Sequence, residues 1–129
     1  MSLDLAAQRK ILDAAHGPAS GDLTVELWEG NPNTDGTQTT GDGYAPGSLP
    51  DDGWDAADVE GVKSAAALVE CGSTPGEAWP GTVTHVRLVD GGGVVWGSFR
   101  LVSPLDVGGA GTHPVRVLPS VFFGDTEMV

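Results

Sequence analysis

The sequence predicts a mainly β fold with one N-terminal α-helix and long loops, on three observations. Glycine (20) and proline (9) are frequent in 129 residues, which favours short strands and many turns over long helices. The run "LTVELWE" alternates Leu23, Val25 and Leu27 with Thr24, Glu26 and Trp28, the period of a half-buried strand. In "WPGTVTHVRLVDGGGVVWGSFRLV", residues 79–102, two β-rich runs flank Asp90 and three glycines, the composition that positive-φ hairpin turns demand. The length suits one domain, residues 1–129, with a core that needs no staples.

Residues 3–16 read as the helix. Ser2 can cap it, Asp4 suits its positive end, and Gly17-Pro18 stop it. Leu3, Ala7, Ile11 and Ala14 fall near one face, and Leu5 and Leu12 widen the apolar stripe. A lone helix of this length is marginal in water. It therefore docks, either on its own domain or on a neighbouring subunit. After the strand at 23–29, residues 30–53 form a long polar loop whose apolar side chains are Tyr44, Ala45 and Leu49. "WDAADVEGVKSAAALVE" reads as an irregular or briefly helical start followed by a strand over residues 65–70. "HPVRVLPSVFFG" supplies one more strand, broken by Pro119 near an edge.

A turn over Asp90–Gly93 sets Val89 opposite Val94, Leu88 opposite Val95, Arg87 opposite Trp96 and Val86 opposite Gly97. That register gathers Val86, Leu88, Val95, Phe99 and Leu101 on a core face. His85, Arg87, Trp96, Ser98 and Arg100 gather on the other face, either solvated around a local cation–π pair or turned to a partner. A phosphate-binding loop needs a lysine and a helix after its glycines, whereas a β-rich run follows here. These glycines turn the chain.

With 6 Lys+Arg against 18 Asp+Glu, the formal charge is −12, which repels nucleic acid and anionic membrane. The single Cys71 excludes an internal disulfide and multi-cysteine zinc sites. No secretory signal and no spanning segment is predicted, so the chain is expected to be made in a cytoplasm. "NPNTDGTQTTGD" places Asn31, Asn33, Asp35, Gly36 and Asp42 near a calcium-loop spacing. Asparagine in the first position, Pro32, and Asp as the last ligand favour an ordinary polar loop. His16, His85 and His113 lack metal-ligand spacing. A Cys71/His85/Asp90 nucleophilic arrangement lacks a nucleophile elbow, and the carboxylates of "PDDGWDAADVE" suit a solvated face. The expectation is no enzyme, no cofactor and no metal.

The helix ending "RKILDAAHG", the strand "LTVELWE", the "GDGYA" loop, "KSAAALVE" and above all "WPGTVTHVRLVDGGGVVWGSFRL" together resemble small virion proteins of tailed double-stranded DNA phages, especially actinobacterial ones. Members are labelled minor capsid (decoration) or tail-fibre proteins. The resemblance spans most of residues 5–102. It implies a β-sandwich, jelly-roll-like, used in multiple copies on the outside of the phage head, with a trimer favoured and the major capsid protein as partner. A tail fibre, collar or tip component, with tail proteins as partners and a host surface as target, is the alternative. The interaction surface expected on this reading is Trp28, Tyr44, Trp54, His85, Arg87, Trp96 and Arg100, with Leu5, Ile11 and Leu12 of the helix as a second contact.

Overall fold

The computed structural model describes residues 4–39, 46–71, 82–106 and 115–122, with only the backbone described at 77–78, 105–106 and 110–111. Among the described residues, one helix, α1 (Leu5–Ala15), precedes eleven strands: β1 (Leu23–Glu29), β2 (Thr37–Gln38), β3 (Gly47–Leu49), β4 (Val62–Ser64), β5 (Val69–Cys71), β6 (Glu77–Ala78), β7 (Thr82–Asp90), β8 (Val95–Asp106), β9 (Ala110–Gly111), β10 (Val115–Val117) and β11 (Ser120–Phe122). The fold is mainly β, as the composition predicts, and its sheets are open and antiparallel.

The largest sheet is built around β1. On one side β1 pairs with β7 over six residues, from Leu23↔Asp90 to Trp28↔His85, and β8 lies beyond β7. Its other edge is shared by β2, opposite Trp28 and Glu29, and by β3, opposite Leu23 to Val25. The polar stretch 30–53 is therefore not simply a loop. Two of its segments return to pair with β1, and Leu49 is buried there. Hydrogen-bond satisfaction of β1's free edge drives this return, and that signal is invisible to hydrophobic periodicity.

The alternation read in β1 holds. Leu23, Val25 and Leu27 are almost wholly buried, joined by Val83, Val86 and Leu88 of β7. Their apolar face packs on Val69 and Cys71 of β5 and on Val115 and Val117 of β10. Each such side chain stabilises the fold by about 1.5–3 kcal/mol through removal from water. Gly47 lets β3 pass this close: a Cβ there would meet Val69 Cγ1 at 2.5 Å and the Glu70 carbonyl at 3.1 Å.

Of the single strand expected over 65–70, only Val69 and Glu70 are in one, and two short strands, β4 and β5, flank the rest. β4 pairs with β11, β5 pairs with β10, and residues 65–68 lie between them. The break mirrors the Leu118-Pro119 break in the facing chain, where the Pro119 carbonyl accepts from Ala65 N–H at 2.9 Å. No helix forms over 54–61, because Asp58 instead caps a turn, its Oδ1 accepting from Glu60 and Val62.

Helix α1 begins after Asp4, whose side chain makes no capping bond; Ser2 lies outside the described residues. Of the two docking alternatives, the structure places α1 on its own domain. Leu12 packs with Ala57 and Val121, beside Trp54 and Phe99. A polar clasp adds to this: Asp13 Oδ1 accepts from the Ala57 backbone N–H at 2.8 Å and from Lys63 Nζ at 2.9 Å. Lys63 is buried, and both donors hold the Asp13 carboxyl below its ordinary value, the backbone bond most strongly. Asp13→Ala is expected to cost about 2–3 kcal/mol in urea denaturation, because it strands the Lys63 ammonium without its partner. Lys63→Met leaves only an exposed carboxylate behind and should cost less in the same measurement.

Candidate interaction surfaces

The hairpin joining β7 and β8 decides which side chains face outward. Its turn is organised by Asp90, whose Oδ1 accepts from Gly92 and Val94 N–H, both at 2.9 Å, while Oδ2 accepts from Trp96 Nε1 at 3.0 Å. These bonds, with Trp96 first, hold the Asp90 carboxyl below its ordinary value. Gly93 takes φ +85° at the turn's exit, a conformation that costs other residues strain. The glycines are turn geometry, as read from the sequence.

The register differs from the one read there. Val89 pairs with Val95, but Leu88 pairs with Gly97, Arg87 with Ser98, Val86 with Phe99 and His85 with Arg100. One extra residue, Trp96, is accommodated as a β-bulge, which inverts the expected sides of its neighbourhood. Val95 becomes exposed, and Trp96 packs against the core. The expectation that Trp96 stacks outward on Arg87 is thereby corrected.

Trp96 instead meets His16, at 5.6 Å between ring centroids, and Trp54 meets the same imidazole from 5.2 Å. Both rings stand edge-on to His16. The His16 Nδ1 and the Trp54 Nε1 are buried and make no hydrogen bond among the described residues. Burial pushes the His16 pKa below its ordinary value of 6.5, with the Lys63 charge adding to the effect. Trp54, expected outward, is a half-buried member of both apolar clusters. Leu12, expected as an exposed contact, is buried in its own domain, whereas Leu5 and Ile11 remain exposed. Tyr44 lies outside the described residues.

Four of the predicted residues do share a surface. On the sheet face opposite the core, Glu26 stands across from Arg87 and Trp28 across from His85, which is itself across from Arg100. The Arg87 guanidinium lies 4.6 Å from the Trp28 ring centroid and donates through Nε to Glu26 Oε1 at 2.7 Å. Trp28 Nε1 donates to the same oxygen at 3.2 Å. This three-residue clamp holds an aromatic ring and a cation in one orientation on the surface. His85 Nδ1 lies 2.8 Å from Thr84 Oγ1.

A second surface has no counterpart in the sequence reading. Between β8 and the β10–β11 segment lies a groove of about 620 Å³. Phe99, Leu101 and Val102 line it from β8, and Leu118 and Phe122 from the facing chain. Val102 is fully exposed, and Phe122 is 64% exposed. The signal in the sequence was "LVSP", an apolar-polar run too short to show periodicity.

The chemistry weighed in the sequence is distributed otherwise. Cys71 is wholly buried on the core face, with burial raising its thiol pKa, while His85 is on the opposite face and Asp90 is committed to the turn. Asn31 Oδ1 accepts from Asn33 N–H in a local turn, and Asp42 lies outside the described residues. Among the described residues, no three His, Cys, Asp or Glu side chains gather as a metal site would require, and no helix is long and apolar enough to cross a membrane. No protein-family model, curated protein or solved structure matches the chain.

Because His16 binds a proton less readily folded than unfolded, its contribution to stability is complete above about pH 6.5 and is lost as pH falls through that value, levelling off below the depressed folded-state pKa. Denaturation midpoints taken across this range should show the decline, and His16→Leu should flatten it.

Proposed function

We propose that this protein is a structural component of a tailed-phage virion, seated on the outside of the head as a decoration (minor capsid) protein. In this reading the chain folds as a two-layer, jelly-roll-like sandwich. The inner faces of β1, β7 and β8 form one layer against β5 and β10. It acts as a homo-oligomer, with a trimer favoured, and its partner is the major capsid protein.

The observation that carries the reading is the Trp28–Arg87–Glu26 clamp: an arginine and a tryptophan held rigidly on the surface of a chain with formal charge −12. Oriented aromatic and arginine side chains are the groups that anchor protein interfaces. The resemblance of residues 5–102 to phage virion proteins gives the anchor its setting. The mechanism is multivalent clamping: each subunit makes modest contacts, and many copies sum them into a shell that resists internal pressure.

The test uses heads assembled without this protein. Added protein should bind them at a fixed number of copies per particle and raise the temperature at which they release DNA. Arg87→Ala should weaken that binding by about tenfold or more while leaving the circular-dichroism spectrum intact. Recovery of the protein with purified tails, and failure to bind heads, would transfer it to the tail. Absence from both ends the virion reading.

A further inference from the structure

The groove beside β8 combines three properties. First, β8 is an edge strand: it pairs with β7 on one side, and no described strand pairs with the other. Second, the register between β7 and β8 slips. Val83 pairs with Leu105 and His85 with Arg100, so β7 answers residues 101–104 with Thr84 alone. This part of β8 is displaced from regular pairing, and it holds the exposed Val102. Third, the groove's charge opposes that of the whole molecule. Its described lining contains Arg100 and Arg116 and no Asp or Glu, in a chain with 18 acidic and 6 basic residues.

Arg100 has no hydrogen-bond or ion-pair partner among the described residues. Arg116 makes one contact, to Glu70 at 3.5 Å, with both side chains more than half exposed. Such a pair contributes little and exchanges readily with an incoming carboxylate. By contrast, Arg87 is committed to Glu26, Arg9 to the Ala57 carbonyl and Lys63 to Asp13.

From these observations we infer that the groove is a docking site for an extended acidic segment of a partner protein, added as a strand along β8. An extended chain supplies backbone donors and acceptors to the free edge, and it sends alternate side chains to one face. Its apolar side chains enter between Leu101, Val102, Leu118 and Phe122. Its carboxylates meet Arg100 and Arg116 at the rim. A second copy paired edge to edge through β8 fits less well, since it sets cationic edge against cationic edge. The inference stands on the groove alone and holds whether or not the protein belongs to a virion.

The probes are two synthetic peptides of about nine residues, both alternating valine with polar residues. One carries glutamates at the polar positions and the other lysines. Titrated into the isotopically labelled protein, the glutamate peptide should shift the amide resonances of residues 98–103, 116–118 and 120–122. The lysine peptide should bind at least about tenfold more weakly. The exposed double variant Arg100→Glu/Arg116→Glu should reverse that order, with its remaining resonances unchanged as the control for folding. Equal binding of both peptides, shifts elsewhere in the molecule, or no binding of the glutamate peptide at millimolar concentration each overturns the inference. Concentration-dependent shifts of the same residues without peptide assign the groove to a second copy and overturn it as well.

Discussion

Burial of one apolar face, shared by β1 and β7, is the constraint on which the rest of the structure depends. Leu23, Val25 and Leu27 on β1, with Val83, Val86 and Leu88 on β7, are at most 4% exposed. Six consecutive residue pairs tie the two strands together. Because side chains alternate along a strand, committing this face inward fixes the outward face in the same step. Glu26, Trp28, His85 and Arg87 are on the surface for that reason. The clamp among them is a product of register before it is a product of attraction.

The same face explains why so many short pieces of chain gather around it. β3 closes over the β1 edge and β5 passes behind it, with Gly47 leaving room for Val69 and Cys71. The chain of β10 and β11 then pairs with β5 and β4, and the break at Leu118-Pro119 matches the break at residues 65–68. Helix α1 is held at one end by Leu12 and by the Asp13–Lys63 clasp. Each peripheral element contributes few apolar side chains, and polar bonds between distant residues, such as Asp13 with Lys63 and Arg9 with the Ala57 carbonyl, add to the fastening.

Two irregularities in β8 distribute its chemistry. The bulge at Trp96 turns that ring into the aromatic cluster around His16, where it also reaches back to Asp90 and ties the turn to the core. The slip at residues 101–104 does the opposite, leaving apolar side chains open to solvent beside Arg100. Bulges re-aim side chains without interrupting a strand. One strand thereby serves the core at its start and a surface groove at its end.

The amino-acid sequence by itself determined the mainly β class, the alternation of β1, the turning role of Gly91–Gly93 and the helix at the N-terminus, because each rests on local stereochemistry or on a period that a few residues display. It also placed His85, Arg87 and Arg100 on one face of the hairpin and Trp28 on the polar side of β1, since each inference needed only strand parity and the pairing across the turn; the pairing of β1 with β7 that unites them came with the tertiary structure. Tertiary structure decided the rest. A single extra residue at the bulge moved Trp96 from the surface to His16, and no local composition distinguishes a bulged hairpin from a regular one. The return of residues 37–38 and 47–49 to the β1 edge, the burial of Leu12 and Trp54, and the groove between β8 and β11 all arise from contacts between segments far apart in the chain, where the controlling quantity is which backbone edges remain to be satisfied.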